Sequence, residues 1–228
     1  MAEKKLTRHE LKEDPLVTGA FRAREYLEEN RDKFLWGLGI AAVLVIVAIW
    51  FFTGRREKEA QAEAILTRAN LELQSGQLPL ALQDLRLLVE KHSGTRAGKE
   101  GFYYLANAYF QIADYEQAEH YYDEFLKRSG NLPVITASAH AGLAVCLELK
   151  GKNKEAATHF DRAVEAARGN SQTPDYLVGA IRTHAALGDS ARAREYFARL
   201  KKDFSLYREQ INQSLLFMGM HGIYEQPQ

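Results

Sequence analysis

One spacing constrains the fold of this 228-residue chain more than any other feature. A small residue recurs at intervals of 37, 38 and 37 residues, at Ala81, Ala118, Ala156 and Ala193. Four residues after each alanine stands a large apolar residue, namely Leu85, Tyr122, Phe160 and Phe197. Five residues before each alanine stand Gly76, Ala113, Gly151 and Gly188. A sequence period between about 20 and 50 residues indicates stacked supersecondary units, so we predict a repeat array.

The segments between these turns have the periodicity of helices. Apolar residues recur at three- and four-residue spacing, and almost no stretch alternates as a strand does. Turn signals such as Ser75-Gly76 and Gly188-Asp189 separate the helical stretches. We therefore predict an all-α fold, in which residues 53–204 form about four helical hairpins. An apolar stripe in residues 205–228 predicts a C-terminal capping helix and tail.

The second copy of the repeat carries the clearest motif. Its first helix reads Leu105-Ala106-x-x-Tyr109, its second helix begins Asp114-Tyr115-x-x-Ala118, and Tyr122 and Phe125 follow. This pattern resembles the tetratricopeptide repeat, although its period is a few residues longer and the family's final proline is missing. The resemblance implies stacked hairpins whose first helices line a concave groove, where partner peptides or protein segments commonly lie.

Residues 34–52 read FLWGLGIAAVLVIVAIWFF and contain no charged residue. As a helix they would span roughly 28 Å, about one hydrocarbon core. Trp36 and Trp50 lie near the two ends, where aromatic residues favour the membrane interface. We predict a retained single transmembrane helix. The alternatives are a buried core helix and a cleaved signal peptide.

Residues 1–33 hold eight basic and eight acidic residues, and we predict that they form an N-terminal cytoplasmic tail. The 20 residues on either side of the apolar segment hold four Lys or Arg each, so the local charge count gives no orientation. Counting the whole tail places more basic residues on the N-terminal side. We predict a single-pass inner (plasma) membrane protein with a periplasmic C-terminal domain, the inverted arrangement being the alternative.

Several function classes are disfavoured by composition and by missing motifs. Lys plus Arg equals Asp plus Glu at 30 each, so the chain lacks the basic excess of nucleic-acid-binding proteins. Its one cysteine, Cys146, lies in an apolar run, and the seven histidines show no metal-binding spacing. Phosphate-loop, nucleotide-binding and nucleophile-elbow motifs do not occur. We predict no enzymatic activity, no cofactor, no metal, no nucleic acid and no small-molecule substrate.

The repeat register selects candidate residues for a protein-binding groove. Asn70 and Asn107 occupy equivalent positions, and an asparagine there can bind a peptide backbone through both its donor and its acceptor. Tyr103 and Phe110 are candidate apolar anchors, and Arg182 faces the groove in the fourth copy. For each of these residues a packing or surface role remains the alternative.

The order of tail, apolar segment and repeats resembles that of the YfgM-like ancillary subunits of the bacterial SecYEG translocon, and more loosely the repeat domain of the cell division coordinator family. Residues 5–12 (KLTRHELK) add to this resemblance. It implies a membrane-anchored interaction module that contacts translocon subunits and mediates contact between secreted proteins and periplasmic chaperones. The alternative is a structural scaffold for another cell-envelope complex, in division or outer-membrane assembly.

Overall fold

The computed structural model describes residues 24–26, 28–130, 132–167 and 169–224, except for the Phe34 side chain. Most of the predicted tail at residues 1–33, and the last four residues of the predicted segment 205–228, lie outside the described residues. Within the described part every regular element is a helix, which confirms the predicted all-α fold. The chain divides into two units, Met1–Glu57 and Lys58–Gln228.

Nine helices are described in full. In chain order they are α1 (Arg31–Gln74), α2 (Leu78–His92), α3 (Arg96–Gln111), α4 (Tyr115–Arg128), α5 (Pro133–Leu149), α6 (Asn153–Ala167), α7 (Thr173–Ala186), α8 (Ser190–Asp203) and α9 (Arg208–Met220).

The apolar segment lies within α1, a helix long and apolar enough to cross a membrane. Its most apolar 18-residue window is not buried at all. Side chains such as Trp36 and Trp50 are exposed, so the apolar segment lacks the burial of a core helix. Its length and composition suit a membrane span, and a signal sequence near the N-terminus has the same character.

The second unit is built from four antiparallel hairpins. The end of α1 pairs with α2, where Arg68 Nη2 lies 2.7 Å from Asp84 Oδ1. Three further hairpins follow as α3–α4, α5–α6 and α7–α8, and each second helix also packs against the first helix of the next hairpin. This arrangement confirms the predicted solenoid.

Burial follows the repeat positions read from the sequence. The four repeat alanines, Ala81, Ala118, Ala156 and Ala193, are completely buried. The large residues that follow them by four positions, Leu85, Tyr122, Phe160 and Phe197, are at most 3% exposed. Small residues allow the two helices of a hairpin to approach closely, and each buried large side chain contributes about 2 kcal/mol through the hydrophobic effect.

The turn inside each hairpin has one design. A residue with positive φ follows the first helix, and the N–H of the next residue donates to a carbonyl five residues back. The four donors are Gln77, Asp114, Lys152 and Asp189, at 2.8–3.0 Å from Glu72, Tyr109, Leu147 and His184. Asp114 and Asp189 then cap the second helix, because each carboxylate accepts from the backbone N–H three residues ahead.

Glycines on the first helices receive the aromatic residues of the preceding hairpin. A Cβ placed on Gly142 would lie 2.4 Å from the Tyr122 ring, and one placed on Gly179 would lie 2.2 Å from the Phe160 ring. These two glycines are 37 residues apart and hold equivalent repeat positions. Each junction therefore packs a large ring against bare backbone.

The last described helix, α9, continues the array in the position of a first helix. Ser214 and Met218 are buried, 37 residues after the buried Leu177 and Ile181. Gln210 Nε2 donates to Asp175 Oδ1 at 3.0 Å, and the Arg182 guanidinium lies 5.6 Å from the Phe217 ring. Both contacts link residues 35 apart, so α9 runs parallel to α7 as one first helix does to the next.

Candidate protein-binding groove

The first helices of the hairpins lie side by side, since α3 contacts α5 and α5 contacts α7. On α3, Leu105 and Ala106 are completely buried, whereas Tyr103, Asn107 and Phe110 are only half-buried. These three residues are spaced by four and three positions and so share one helix face. The face combines apolar surface with a side-chain amide.

Tyr103 and Asn107 belong to one cluster with the second helix of their own repeat. The Tyr103 ring centroid lies 6.2 Å from that of Tyr122 and 5.8 Å from that of Phe125. The Tyr122 hydroxyl donates to Asn107 Oδ1 at 2.5 Å. Burial raises the pKa of Tyr122, which keeps this hydroxyl protonated as a donor. The Asn107 carbonyl is thus occupied, and its amide N–H groups provide the donor that a peptide carbonyl needs.

Asn70 and Phe110 border this cluster. Asn70 is half-buried on α1, and its side chain lies close to the hydroxyl of Tyr104, next to Tyr103. Burial is the main cause that raises the pKa of Tyr104. Phe110 packs edge-on against Tyr115, with ring centroids 5.4 Å apart. Four of the five predicted groove residues therefore lie on or beside the same pair of first helices.

Arg182 is placed differently from the other four. Its Nε donates to Glu148 Oε1 at 3.0 Å and its Nη2 to Glu148 Oε2 at 2.5 Å, a bidentate pair between α5 and α7. The guanidinium also lies over Phe160 and Phe217, at 5.7 and 5.6 Å from the ring centroids. Its described contacts are all internal, and they join the third and fourth repeats to α9.

Two polar residues at the start of the first helices were not predicted. Ser138 Oγ on α5 lies 2.9 Å from the hydroxyl of Tyr176 on α7, and Gln172 Oε1 accepts from Tyr176 at 2.8 Å. No repeat signal marks these residues, because Ser138 and Tyr176 stand at non-equivalent positions of their helices.

Half-buried polar ties join successive repeats at two junctions. Arg86 Nε donates to the Tyr109 hydroxyl at 2.9 Å, and His184 Nε2 lies 2.9 Å from Asp161 Oδ1. Each tie links residues 23 apart, from a second helix to the next first helix. The hydrogen bond to Asp161 is the main cause that raises the pKa of His184.

At the junction of the second and third repeats the equivalent residues are Asp123 and Leu147, which form no such tie. Both line a cleft of about 420 Å³ there. Lys150 Nζ pairs with Glu119 Oε2 at 2.6 Å beside it. The remaining lining residues are Glu116, His120, Leu143, Glu155 and His159.

The side chains with reactive potential are held in packing roles. Cys146 is completely buried, and burial raises the pKa of its thiol to about 11. His140 and His159 face each other inside the third hairpin, with their Nδ1 atoms 3.1 Å apart. Among the described residues no group of three or more His, Cys, Asp or Glu side chains is placed to hold a metal ion.

Known structures share this arrangement of helices. YrrB, described as a TPR protein with an unusual peptide-binding site, aligns with a TM-score of 0.56 at 17% identity, covering 71% of this chain and 78% of YrrB. BtubC (BKLC) from P. vanneervenii aligns with a TM-score of 0.58 at 17% identity over 72% of each chain. PilF from Pseudomonas aeruginosa aligns with a TM-score of 0.54 at 21% identity, over 67% of this chain and 64% of PilF.

The comparison with curated proteins gives no match. The model of the tetratricopeptide repeat family matches residues 66–133 and, in a second overlapping register, residues 103–171. The matched ranges cover the first three hairpins and three of the four buried repeat alanines, Ala81, Ala118 and Ala156. The structural neighbours share the fold at low identity. Residues 66–171 therefore match the tetratricopeptide repeat pattern and form helical hairpins of the tetratricopeptide type.

Proposed function

We propose that this chain is a membrane-anchored protein–protein interaction module that binds a segment of a partner protein on the concave face of its first helices. The observation that carries the proposal is the half-buried row Tyr103, Asn107 and Phe110 on α3. It offers two aromatic surfaces around amide N–H donors, a combination suited to an extended backbone or to the side of a helix. Asn70 extends the same face onto α1.

The structural neighbours support a binding role. YrrB shares this fold and is described as having a peptide-binding site. Tetratricopeptide repeats generally serve as scaffolds that bind proteins. The potentially reactive side chains described above, such as Cys146, have packing roles in this structure. On this proposal the chain itself is not an enzyme.

The proposal has a finer form, in which the partners are SecYEG translocon subunits, secreted chains or periplasmic chaperones. Its support is the resemblance in architecture, a short tail followed by an apolar segment and tetratricopeptide repeats. A scaffold for a division or outer-membrane assembly complex would use the same concave face. The two forms differ in which proteins contact that face.

The test is site-specific photo-crosslinking in intact membranes. A photoreactive amino acid replaces Tyr103 or Phe110, and a matched variant carries it at Thr158, which is exposed on α6. We expect crosslinked partners from the two groove positions only, and translocon subunits or chaperones among them. Equal crosslinking from Thr158 would contradict the groove, whereas groove products made only of division or assembly proteins would support the alternative form.

Membrane anchoring and orientation need a separate measurement. If α1 is retained as a span, the full-length chain will resist alkaline extraction of membranes. A reporter active only outside the cytoplasm, fused after the last residue, will be active if the repeats are periplasmic. An extractable chain shorter than its coding length would instead identify the apolar segment as a cleaved signal sequence.

A further inference from the structure

The concave face of the first helices is open on α3 and α5 and covered on α7. Its positions on the two open helices are all half-buried; they are Tyr103, Asn107, Phe110, Ala141, Val145 and Glu148. The equivalent residues of the fourth repeat include Val178 and Ala185, which are only 4% and 1% exposed. An element of this chain therefore covers the concave face at the fourth repeat.

The covering element is α9. Helices α5 and α7 each pack mainly against the second helix of the preceding hairpin, whereas α9 packs mainly against the first helix α7 and only slightly against α8. Gln210 Nε2 donates to Asp175 Oδ1 at 3.0 Å, and the Phe217 ring lies 5.6 Å from the Arg182 guanidinium. Arg182 is the remaining concave position of α7, and Asp175 lies two helical turns before it on the same face.

The two helices are aligned residue for residue. Gln210 and Phe217 are seven residues apart, and so are their partners Asp175 and Arg182. This match is expected of two helices that run along each other, because both rise by about 1.5 Å per residue. The same side of α9 carries the buried Met218, so α9 is an amphipathic helix seated along a first helix.

The open part of the face offers few hydrogen-bonding groups to a peptide backbone. On α5, Ala141 and Val145 have apolar side chains, and the Glu148 carboxylate is held in its internal ion pair. On α3, Asn107 Oδ1 already accepts from the Tyr122 hydroxyl. An extended segment would bury unpaired backbone groups here, whereas a helix pairs its own N–H and C=O groups.

The shape and charge of the open face also suit an apolar helix. The small Ala141 and Val145 form a floor on α5, and the larger Tyr103 and Phe110 stand on the neighbouring α3. A ridge of side chains on another helix packs into such a groove at an interaxial distance of about 8–10 Å. The charge of Glu148 is compensated internally, so an uncharged contact face is favoured on the partner.

We propose that the partner segment is an amphipathic α-helix with an apolar contact face, which lies along α3 and α5 as α9 lies along α7. This is the helix-in-groove mode of recognition, with anchors spaced three, four and seven residues apart. The inference rests on the proposed function and specifies the class of partner that the concave face binds.

The experiment locates, by tandem mass spectrometry, the partner residues that are photo-crosslinked from positions 103 and 110 in intact membranes. These positions are seven residues apart, about 10.5 Å along α3. We expect crosslinked sites about seven residues apart in the partner. An extended segment rises by about 3.3 Å per residue and would instead be crosslinked at sites about three residues apart.

The outcomes separate this inference from the proposed function. Sites about three residues apart would overturn the helix and leave the concave face as the binding site. If positions 103 and 110 give no more products than the Thr158 control, the proposed function and this inference are both wrong.

Synthetic peptides of the crosslinked segment give a second measurement, by fluorescence anisotropy with the full-length chain in mild detergent. A hydrocarbon staple that holds the peptide helical should lower Kd at least about tenfold, because less ordering is required on binding. A central proline should raise Kd by a similar factor, because it breaks a helix. Equal Kd values for the stapled and proline peptides would overturn the proposal.

A matched pair of variants tests the floor of the groove. Val145→Glu places an unpaired charge under the bound helix, and we expect it to raise the Kd of the stapled peptide at least about tenfold. Thr158→Glu, at an exposed site on α6, should leave this Kd unchanged. Helical circular dichroism checks that both variants are folded. A stapled peptide that binds folded Val145→Glu as tightly as the unaltered chain would contradict the proposed seat on α5.

Discussion

At the scale of single residues, the hairpin turns show where sequence and backbone disagree. Gly76, Gly151 and Gly188 adopt φ of 74–75°, and their counterpart in the second repeat is Ala113 at φ 58°. The left-handed region is costly for a residue with a Cβ and open to glycine. Among the described non-glycine residues Ala113 is the one with positive φ. The second repeat therefore stores strain that the others lack.

Replacing Ala113 with glycine should release that strain. We expect Ala113→Gly to raise the free energy of unfolding by about 0.5–1 kcal/mol, since relief of the strain outweighs the greater freedom of glycine in the unfolded chain. The reverse change, Gly151→Ala, should lower it by a similar amount. Urea unfolding of the detergent-solubilised chain measures both, and a destabilised Ala113→Gly would contradict this account.

The histidine pair of the third hairpin should make the fold sensitive to acid. Burial lowers the pKa of His140 to about 4, and the neighbouring His159 and Arg162 act in the same direction. A pKa depressed by folding means that stability is complete above the unfolded value of about 6.5 and is lost as the pH falls toward 4. We expect a loss on the order of 1 kcal/mol between pH 7 and pH 5.

The test of this prediction replaces His140 with glutamine, which does not titrate, and the control makes the same change at His221. His140→Gln should reduce the acid loss, whereas His221→Gln, at an exposed site, should leave it unchanged. His184 acts with the opposite sign, because a raised pKa adds stability below about pH 6.5 that is lost as the pH rises. An acid loss that persists in His140→Gln would exclude the pair as its source.

At the scale of helices, the junctions depend on glycines that admit aromatic rings. A methyl group at Gly179 would lie 2.2 Å from the Phe160 ring, and the ring is itself buried. We expect Gly179→Ala to lower the free energy of unfolding by about 1–3 kcal/mol, because overpacking forces the ring or the helix to move. Chemical denaturation measures the change.

Gly219→Ala is the matched control for that substitution. Its Cβ would meet nothing within 4 Å, so the gain in helix propensity should make it neutral or stabilising. If Gly179→Ala and Gly219→Ala lower the free energy of unfolding equally, the contact between the Phe160 ring and the backbone of Gly179 does not explain the loss.

The helices themselves could be predicted from sequence to a large extent. The register of Ala81, Ala118, Ala156 and Ala193 identified four hairpins, because close helix packing permits few residue types there. The groove residues were harder to predict. The occupied carbonyl of Asn107 and the pairing of Arg182 with Glu148 arise between distant residues, and no local pattern encodes them.

The last helix shows the same limit at another place. Its apolar stripe predicted a capping helix, but the sequence did not show which repeat position this helix occupies. Its counterparts of Ala106 and Gly179 are Met218 and Leu216, residues that conceal the small-residue pattern of a first helix. The buried Ser214 and Met218 and the contacts from Gln210 and Phe217 to α7 show that α9 stands in the position of a first helix.

At the scale of the whole molecule, stability is the sum of repeats and the contacts between neighbours. Met218 is 1% exposed in α9, so Met218→Ala should cost about 2–4 kcal/mol. The loss should appear first as faster amide exchange in α7, which α9 covers. Met220→Ala, at an exposed position of the same helix, should change stability by less than about 0.5 kcal/mol. Equal losses from the two variants would show that α9 does not brace the fourth repeat.

Because Asp123 and Leu147 form no polar tie, we expect the junction of the second and third repeats to bend more readily than its neighbours. At the first and third junctions a half-buried hydrogen bond joins one repeat to the next. At the second junction the salt bridge between Lys150 and Glu119 lies beside the cleft, where salt can screen it. A solenoid of uniform joints bends like a spring, whereas one with a softer central joint articulates there. We expect high salt to weaken the salt bridge and to make this junction more flexible, so that the curvature of the repeat array varies with ionic strength.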